Sequence, residues 1–270
     1  IQMNNFKQII AFFSMVLLLS SCEEVIELNL DTAAEKYVIE ATLTDQANGA
    51  HVLISKTKSY SSTNDFAGVS GAVVEIEDQL SNVTRLTESA KPGVYLNATL
   101  KGTPTQTYKL RITIAEQVFT ATCTMPAVVA LQDVYPYELN LFDGPRLFTH
   151  VKYTDPIGVK NFYRFIEYKN EVYTKSIMAT NDEFTDGRTV NQTIFPFDFD
   201  EESKLKKGDK IKLEFLTIDE PVYKYWFSVD NGAQGGGDSA APANPVSNIK
   251  GGAIGYFSAH TIQSKEYTVQ

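Results

Sequence analysis

Short runs of alternating apolar and polar residues, rather than helical periods, dominate this chain. From Tyr108 to Ile114 every second residue is apolar, and the residues between them are Lys, Arg and Thr. A strand places successive side chains on opposite faces, so this pattern predicts a strand with one buried face. Six similar runs are separated by turn residues: Tyr37–Leu43, His51–Ser55, Ala72–Ile76, Val83–Leu86, Gly93–Leu96 and Val118–Cys123. Seven such strands within about 100 residues predict an immunoglobulin-like sandwich.

A second β-rich segment follows Met125-Pro126, where proline closes a strand ladder because it has no N–H to donate. We therefore place one domain at residues 37–126 and another at residues 127–270, with the segment from Val128 to Leu139 crossing between them. Five runs predict strands in the second segment: Phe148–Tyr153, Phe162–Tyr168, Val172–Ile177, Ile211–Ile218 and Gly255–His260. The expected fold class is all-β, an immunoglobulin-like β-sandwich followed by a second β-rich, sandwich-like domain with one short helix.

The single expected helix begins after Ile218. Asp219 can cap its first turn, Pro221 fits that turn, and Gly232 is a stop signal. Trp226, the only tryptophan, is expected to anchor the helix on the sheet, with ligand stacking as the alternative. Three apolar residues share one helical face: Val222, Trp226 and Val229.

Two glycine-rich segments follow the helix. Residues 231–243 are small and polar without an apolar period, which predicts a mobile loop that is either a docking segment or simply disordered. The run from Gly251 to Ala259 is dense in glycine and alanine, which favours close approach of its backbone to another group.

The first residues carry an export signal. Lys7 precedes an apolar run from Ile9 to Leu19, which is shorter than the roughly 20 residues needed to cross a bilayer. The sequence Leu19-Ser20-Ser21-Cys22 resembles the bacterial lipobox, in which the cysteine receives a diacylglycerol and becomes the first mature residue. We expect a signal peptide at residues 1–21 and a lipidated tether at 22–36, so that acyl chains on Cys22 hold the protein in the outer membrane. The alternative is an ordinary secretory peptide with a chance cysteine.

Short motifs near the lipobox and in the glycine-rich loop resemble sorting and modification signals. Glu23 and Glu24 resemble the Bacteroidota signal that sends a lipoprotein to the outer face of the outer membrane, although a solvated linker explains them equally simply. Asp31-Thr32-Ala33 and Asp238-Ser239-Ala240 resemble the O-glycosylation signal of the same bacteria, which makes Thr32 and Ser239 candidate glycosylation sites.

The charge balance narrows the class of partner. The chain carries 24 Lys+Arg against 33 Asp+Glu, a formal net charge of −9. Removing the signal peptide with Lys7 leaves 23 against 33, a formal −10. Phosphate binding needs clustered basic residues, so we expect neither nucleic acid nor anionic headgroups as partners.

Residues with catalytic or metal-binding chemistry form no familiar pattern. Cys123 lies in an alternating strand without a nearby histidine, which favours a packed core thiol over a nucleophile. Three histidines, His51, His150 and His260, are isolated, and neither H-E-x-x-H nor G-x-S-x-G occurs. We therefore expect no catalytic residues, no metal and no cofactor.

For one acidic cluster, calcium binding is the alternative interpretation. It contains Asp198, Asp200, Glu201 and Glu202 but lacks EF-hand spacing, and three lysines follow it within five residues. A solvated loop that neutralises its own charge is the favoured interpretation. Paired carboxylates for glycoside hydrolysis converge only in space, so the sequence leaves that chemistry open.

Several motifs point to known families. The runs 69–76, 92–95, 100–102 and 108–110 resemble the regulatory-type sandwich domains attached to carboxypeptidases and TonB-dependent receptors. Across residues 22–270, the lipobox, Tyr153-Thr154-Asp155-Pro156 and the runs 161–165, 244–249 and 251–258 resemble an uncharacterised family of Bacteroidota lipoproteins, a domain of unknown function.

This resemblance implies a function but no catalytic residues. Members tend to be encoded beside TonB-dependent receptors, so the expected role is a non-enzymatic, surface-exposed accessory to such a receptor in nutrient capture or uptake. The chain is not similar to the tetratricopeptide-built starch-binding lipoproteins, and their binding residues do not transfer. A structural or adhesion lipoprotein, and a carbohydrate-active enzyme, are the alternatives.

Overall fold

The computed structural model describes residues 35–58, 66–142, 144–196, 199–233 and 244–270. The predicted signal peptide at 1–21 and the tether up to residue 34 lie outside these ranges. In the part of the chain that is described, no helix is both long and apolar enough to span a bilayer.

Fifteen strands and one helix make up the described residues, so the all-β class is confirmed. The first half forms β1 (Tyr37–Thr44), β2 (Ala50–Lys56), β3 (Val73–Glu77), β4 (Val83–Glu88), β5 (Val94–Asn97), β6 (Thr107–Ile114) and β7 (Gln117–Thr124). The second half forms β8 (Leu131–Leu141), β9 (Gly144–Thr154), β10 (Phe162–Lys169), β11 (Val172–Tyr173), β12 (Met178–Asn181), β13 (Thr189–Ile194), β14 (Lys210–Ile218), α1 (Glu220–Ala233) and β15 (Ile254–Thr268). All seven alternating runs of the first half are strands.

The strands form one large sheet and one small sheet. The large sheet has twelve strands in the order β11-β10-β14-β15-β1-β2-β5-β4-β3-β6-β7, with β12 also paired to β10. The small sheet has the order β13-β9-β8. The small sheet packs on the β10 and β14 end of the large sheet, which gives a sandwich-like arrangement.

Strand β15 joins the two halves of the chain. It pairs in parallel with β1, in a register that places Gly255 opposite Ile39, and antiparallel with β14. Because both of its neighbours are strands, β15 lies inside the sheet and the segments 37–126 and 127–270 share that sheet. The described residues of both segments form one compact unit.

Close backbone approach explains two of the three glycines of the run 251–259, Gly251 and Gly255. Gly255 has φ +118°, and a Cβ there would lie 1.9 Å from the backbone oxygen of Ile39. A Cβ on Gly251, at φ +107°, would lie 2.6 Å from the backbone oxygen of Val118. The close approach predicted from sequence is therefore present, and the approached backbone belongs to β1 and β7 of the same chain.

The core has two parts. The larger lies along β1–β7 and continues onto β14, β15 and α1, with Ile39, Val52, Ile112 and Phe257 fully buried. The smaller lies between the two sheets and is largely aromatic: Val151, Tyr153, Tyr163, Phe165, Leu213 and Phe215. Ring centroids of Tyr153 and Phe215 are 4.9 Å apart, which is the spacing of packed aromatic pairs.

Four strands of the second half differ from the sequence prediction, among them β12, which was missed. The segment treated as a crossing is largely strand β8, where Pro136 hid the pattern; proline is tolerated because β8 is an edge strand. The run Val172–Ile177 was expected to be one strand, but only Val172–Tyr173 pairs with β10. Strand β13 was missed because its sequence, TVNQTI, carries few apolar residues.

The helix prediction is confirmed with one shift at its end. The Asp219 Oδ1 atom accepts a hydrogen bond from the Val222 N–H at 3.1 Å, as an N-cap does. The helix passes through Gly232 and ends at Ala233, so the predicted stop is wrong by one residue. Trp226 packs partly buried against the larger core, which confirms its anchoring role.

We predict that Gly255→Ala destabilises the protein far more than Gly144→Ala. Both glycines have nearly the same φ, +118° and +119°, but a Cβ at Gly144 meets no atom within 4 Å. Backbone strain alone costs about 1 to 2 kcal/mol, whereas the clash with Ile39 adds several more, for a total above about 4 kcal/mol. Urea unfolding of both variants measures the difference, and equal losses would contradict the close-packing argument.

Candidate functional site

The residues predicted to carry the anchor and its modifications lie outside the described ranges. These are Cys22, Glu23, Glu24, Thr32 and Ser239. Of the loop predicted at 231–243, only residues 231–233 are described, and they complete α1.

Cys123 is a packed core thiol, as predicted. Its side chain is 1% exposed, and its Sγ accepts a hydrogen bond from the Ala259 N–H at 3.0 Å. Burial raises the pKa of this thiol well above its usual range, with a further rise from the negative charge of Asp219. A thiol held protonated in this way is a poor nucleophile.

The three histidines lie on three different strands. His51 is exposed on β2, whereas His150 on β9 and His260 on β15 are buried. The His150 Nε2 atom lies 2.7 Å from the Thr193 hydroxyl, and its ring stacks on Tyr137 with centroids 4.0 Å apart. The His150 ring is therefore held between Thr193 and Tyr137.

The acidic loop behaves as predicted where it is described. Asp200, Glu201 and Glu202 are exposed, and Asp198 lies outside the described residues. Glu201 forms an ion pair with Lys204. The Asp200 Oδ1 atom accepts the Ser203 N–H at 2.8 Å, so this carboxylate caps a turn.

A different group of carboxylates converges in space. Asp155 follows β9, while Asp182 and Asp186 lie in the loop between β12 and β13, and one ligand oxygen of each lies within 4.8 Å of the other two. We call these three residues the Asp cluster. The sequence did not predict this group. Two short aspartate-plus-glycine segments, 155–158 and 182–187, are the only signal it offered.

Protein donors hold each carboxylate of the Asp cluster in place, and Asp155 also accepts a backbone hydrogen bond from Gly187. The Asn161 N–H donates to Asp182 Oδ2 at 2.7 Å, and the Gly158 N–H donates to Asp186 Oδ1 at 2.7 Å. The Tyr163 hydroxyl donates to Asp155 Oδ1.

Two members of the Asp cluster are removed from water. Asp155 is 1% exposed and Asp182 is 7% exposed, whereas Asp186 is exposed. Burial raises the pKa of Asp155, the hydrogen bond from Tyr163 opposes this, and the negative charges of Asp182 and Asp186 raise it further. Its Oδ2 atom is buried and has no hydrogen-bond partner.

An arginine beside the helix forms a second buried polar group. The Arg164 guanidinium lies 3.4 Å from the centroid of the Trp226 ring, a cation–π contact that ties β10 to α1. Behind it, the His260 Nδ1 atom lies 2.9 Å from the Ser258 hydroxyl. Burial and the nearby positive charge of Arg164 lower the pKa of His260 to about 4. In this group the Arg164 Nε and Trp226 Nε1 atoms are buried without a hydrogen-bond partner.

Aromatic side chains cover the outer face of the small sheet. Strand pleating turns Val151 and Tyr153 towards the smaller core and Phe148 and His150 away from it. The outward rings pack on one another: Tyr137 on His150, and Phe195 and Phe199 on Phe148. We call these five residues the outer aromatic face.

The outer aromatic face is open to solvent at its rim. Tyr137, Phe195 and Phe199 are 44%, 44% and 57% exposed, and Phe142 at the tip of the β8–β9 hairpin is fully exposed. Beneath the rim, the guanidinium of the buried Arg146 donates to the backbone oxygens of Phe199 and Asp200. Arg146 therefore holds the backbone in place at Phe199 and Asp200.

Comparison with known proteins supplies a family. A scan against protein families matches residues 23–266 to a domain of unknown function, DUF4249. The chain belongs to this family. A search of curated proteins finds no significant match. The DUF4249 match covers both β-rich segments, in agreement with the single sheet that they share.

We predict that His260→Gln reduces the acid sensitivity of the protein. The folded-state pKa of His260 is about 4 against an ordinary 6.5, so between these values the unfolded chain binds a proton that the folded chain does not. Wild-type stability therefore falls as the pH drops from 6.5 to 4, by about 3 kcal/mol from this residue. The His260→Gln variant lacks this contribution.

The quantity to compare is the slope of the free energy of unfolding against pH, because the substitution also changes packing and so the absolute stability. Urea unfolding of the wild type, His260→Gln and His51→Gln at several pH values gives those slopes. His51 is exposed and serves as the control, which should keep the larger part of the wild-type slope. Parallel curves for the wild type and His260→Gln would contradict the assignment.

Proposed function

We propose that this protein is a lipid-anchored, non-enzymatic accessory of a TonB-dependent receptor, located on the outer face of the outer membrane and active in nutrient capture or uptake. The observation that carries the proposal is the sequence Leu19-Ser20-Ser21-Cys22, placed directly after the apolar run from Ile9 to Leu19. A diacylglycerol on Cys22 holds the β-rich body at the membrane, where its working partners are membrane proteins. Glu23 and Glu24 favour the exterior side.

The outer aromatic face is the surface that we assign to the receptor. Contiguous exposed apolar patches on a soluble domain mark interaction sites. Interface cores are enriched in aromatic residues and arginine and depleted in lysine and aspartate. The exposed rings of Tyr137, Phe195 and Phe199, the last of which lies 5.3 Å from the Arg146 guanidinium, have this composition. The patch lies on the small sheet, and Arg146 holds the backbone at Phe199 and Asp200, so little ordering of these residues is needed on binding.

The anchor can be tested by the Cys22→Ser substitution. Without the thiol no acyl chain can be attached, so the variant should accumulate as uncleaved precursor or as soluble periplasmic protein. Fractionation of cell membranes, with detection of an epitope at the C-terminus, measures the distribution. A Cys22→Ser protein that still fractionates with outer membranes after losing residues 1–21 would overturn the anchor.

The side of the membrane is measured on the same strains. Protease added to intact cells should digest the wild type, whereas replacing Glu23 and Glu24 by Ala should protect the protein. Digestion of both forms to the same extent removes the sorting role of the acidic pair. Protection of the wild type removes the exterior location.

The receptor contact predicts loss of copurification when the outer aromatic face is made polar. The double substitution Tyr137→Ser and Phe199→Ser removes two exposed rings and should reduce the recovered receptor at least about tenfold, since central aromatic anchors carry about 2 kcal/mol or more. Pull-down in mild detergent followed by mass spectrometry measures the yield.

A matched control separates this effect from a general change in surface polarity. Leu80 and Val83 are 74% and 58% exposed and lie at the β3–β4 hairpin, away from β10 and β14 in the strand order, so Leu80→Ser with Val83→Ser should leave copurification unchanged. Equal loss in both double variants would move the contact elsewhere. Recovery of no receptor with the wild type would favour a structural or adhesion protein instead.

A further inference from the structure

The Asp cluster brings three carboxylates together in a small space. Asp155 Oδ1, Asp182 Oδ2 and Asp186 Oδ1 each accept a hydrogen bond from the protein. The second oxygen of Asp155, Oδ2, is buried and has no hydrogen-bond partner. The cluster oxygens lie within 4.8 Å of one another, so one small group can contact all three residues.

Burial makes the free oxygens costly unless they are neutralised. Asp155 is 1% exposed, yet its Oδ2 atom has no hydrogen-bond partner. The Thr185 hydroxyl, which belongs to the same turn as Asp182 and Asp186, is also buried without a partner. A buried, unpaired carboxylate oxygen carries a large desolvation penalty, and two unpaired oxygens at one place point to a missing ligand.

In the described part of the chain, basic side chains do not neutralise the negative charge of the Asp cluster. Among the described residues, no Lys, Arg or His nitrogen forms an ion pair with any member of the Asp cluster. Three carboxylates facing one another repel unless a positive charge lies between them.

We propose that Asp155, Asp182 and Asp186 bind a Ca²⁺ ion between the β9–β10 loop and the β12–β13 loop. Calcium takes six to eight oxygen ligands at about 2.3 to 2.6 Å, so two ligand oxygens on opposite sides of the ion lie about 5 Å apart. The spacing of the cluster agrees with this limit. The buried, unpartnered Thr185 hydroxyl in the same turn is a further ligand in this proposal, and water on the exposed side of Asp186 completes the shell.

The donor set selects among metals. Carboxylate and hydroxyl oxygens without imidazole or thiolate suit Ca²⁺ and disfavour zinc and copper. Calcium also accepts irregular geometry, whereas Mg²⁺ needs near-ideal octahedral ligands at about 2.0 to 2.1 Å, which two loops of this kind do not provide.

Glycoside hydrolysis fits the same carboxylates poorly. A glycosidase needs two carboxyl groups that face a sugar ring in an open cleft. Asp155 and Asp182 are buried beneath their own loops, at 1% and 7% exposure, so a sugar cannot approach them. An ion, by contrast, needs only the exposed side at Asp186. The calcium site stands independently of the receptor role.

Terbium luminescence and thermal unfolding test the site on the purified full-length protein. After treatment with EDTA, Tb³⁺ should give luminescence sensitised by Tyr163, whose hydroxyl bonds directly to Asp155. Ca²⁺ should displace Tb³⁺ at much lower concentration than Mg²⁺. At a Ca²⁺ concentration of about 100 Kd, the Tm should rise by about 5 °C.

Two variants with a matched control locate the site. Asp186→Asn keeps an oxygen for the Gly158 N–H but removes one charge at an exposed position, so it should fold and bind Ca²⁺ at least about tenfold more weakly. Asp155→Asn should abolish the calcium-dependent rise in Tm. Glu201→Gln, in the separate acidic loop and exposed, should leave both measurements unchanged.

Two results would overturn the proposal. One is a wild type that shows neither sensitised luminescence nor a calcium-dependent Tm, but gains stability on acidification, since a proton would then neutralise the cluster. The other is a calcium effect that is equal in Asp186→Asn, Asp155→Asn and Glu201→Gln, which places the ion elsewhere. Receptor copurification enters neither measurement, so this test can fail or succeed without bearing on the receptor role.

Discussion

The insertion of β15 between β1 and β14 is the contact on which the rest of the structure depends. Seven consecutive residue pairs join β15 to β1 in parallel, and eight join it to β14. Parallel neighbours require a long connection, and here that connection is almost the whole chain. Closing a loop over such a distance costs entropy, so close packing must offset that cost. Gly255 permits this packing, because only a residue without Cβ lets the β1 backbone approach so closely.

The small sheet depends on this arrangement in turn. With β15 in place, Tyr267 near its end meets the Thr149 hydroxyl of β9 at 2.9 Å, and Thr149 donates to the buried Glu167 of β10. Leu131 of β8 donates its N–H to the Gln263 side chain of β15 at 3.1 Å. These polar contacts fix the register of the small sheet over an aromatic core that would otherwise tolerate sliding.

Both candidate sites are consequences of where the small sheet lies. Tyr153 and Tyr163 pack with tilted rings in the smaller core, and the Tyr163 hydroxyl reaches out of that core to hold Asp155 at the end of β9. On the opposite face of the same strands, pleating directs Phe148 and His150 outward to form the outer aromatic face. One sheet therefore presents a carboxylate group at its edge and an aromatic surface on its back.

Local patterns in the sequence by themselves determined the strand content, the helix and the burial of Cys123. Alternation of apolar and polar residues spans only a few positions, so a run such as Tyr108–Ile114 can be recognised as a strand without knowledge of its partner strand. Asp219 and Pro221 mark the helix start for the same reason. Strands whose pattern was weak, such as β13, and strands interrupted by proline, such as β8, escaped detection because their stability comes from neighbours rather than from their own residues.

Only the tertiary structure decided how distant residues meet. Asp155 and Asp182 are 27 positions apart and carry no spacing rule, so nothing in the sequence brings their carboxylates together. The same holds for the contact between Arg164 and Trp226, and for the sheet shared by the two halves. Side-chain periodicity reports which face of a strand is buried, but the register between strands is set by packing in three dimensions.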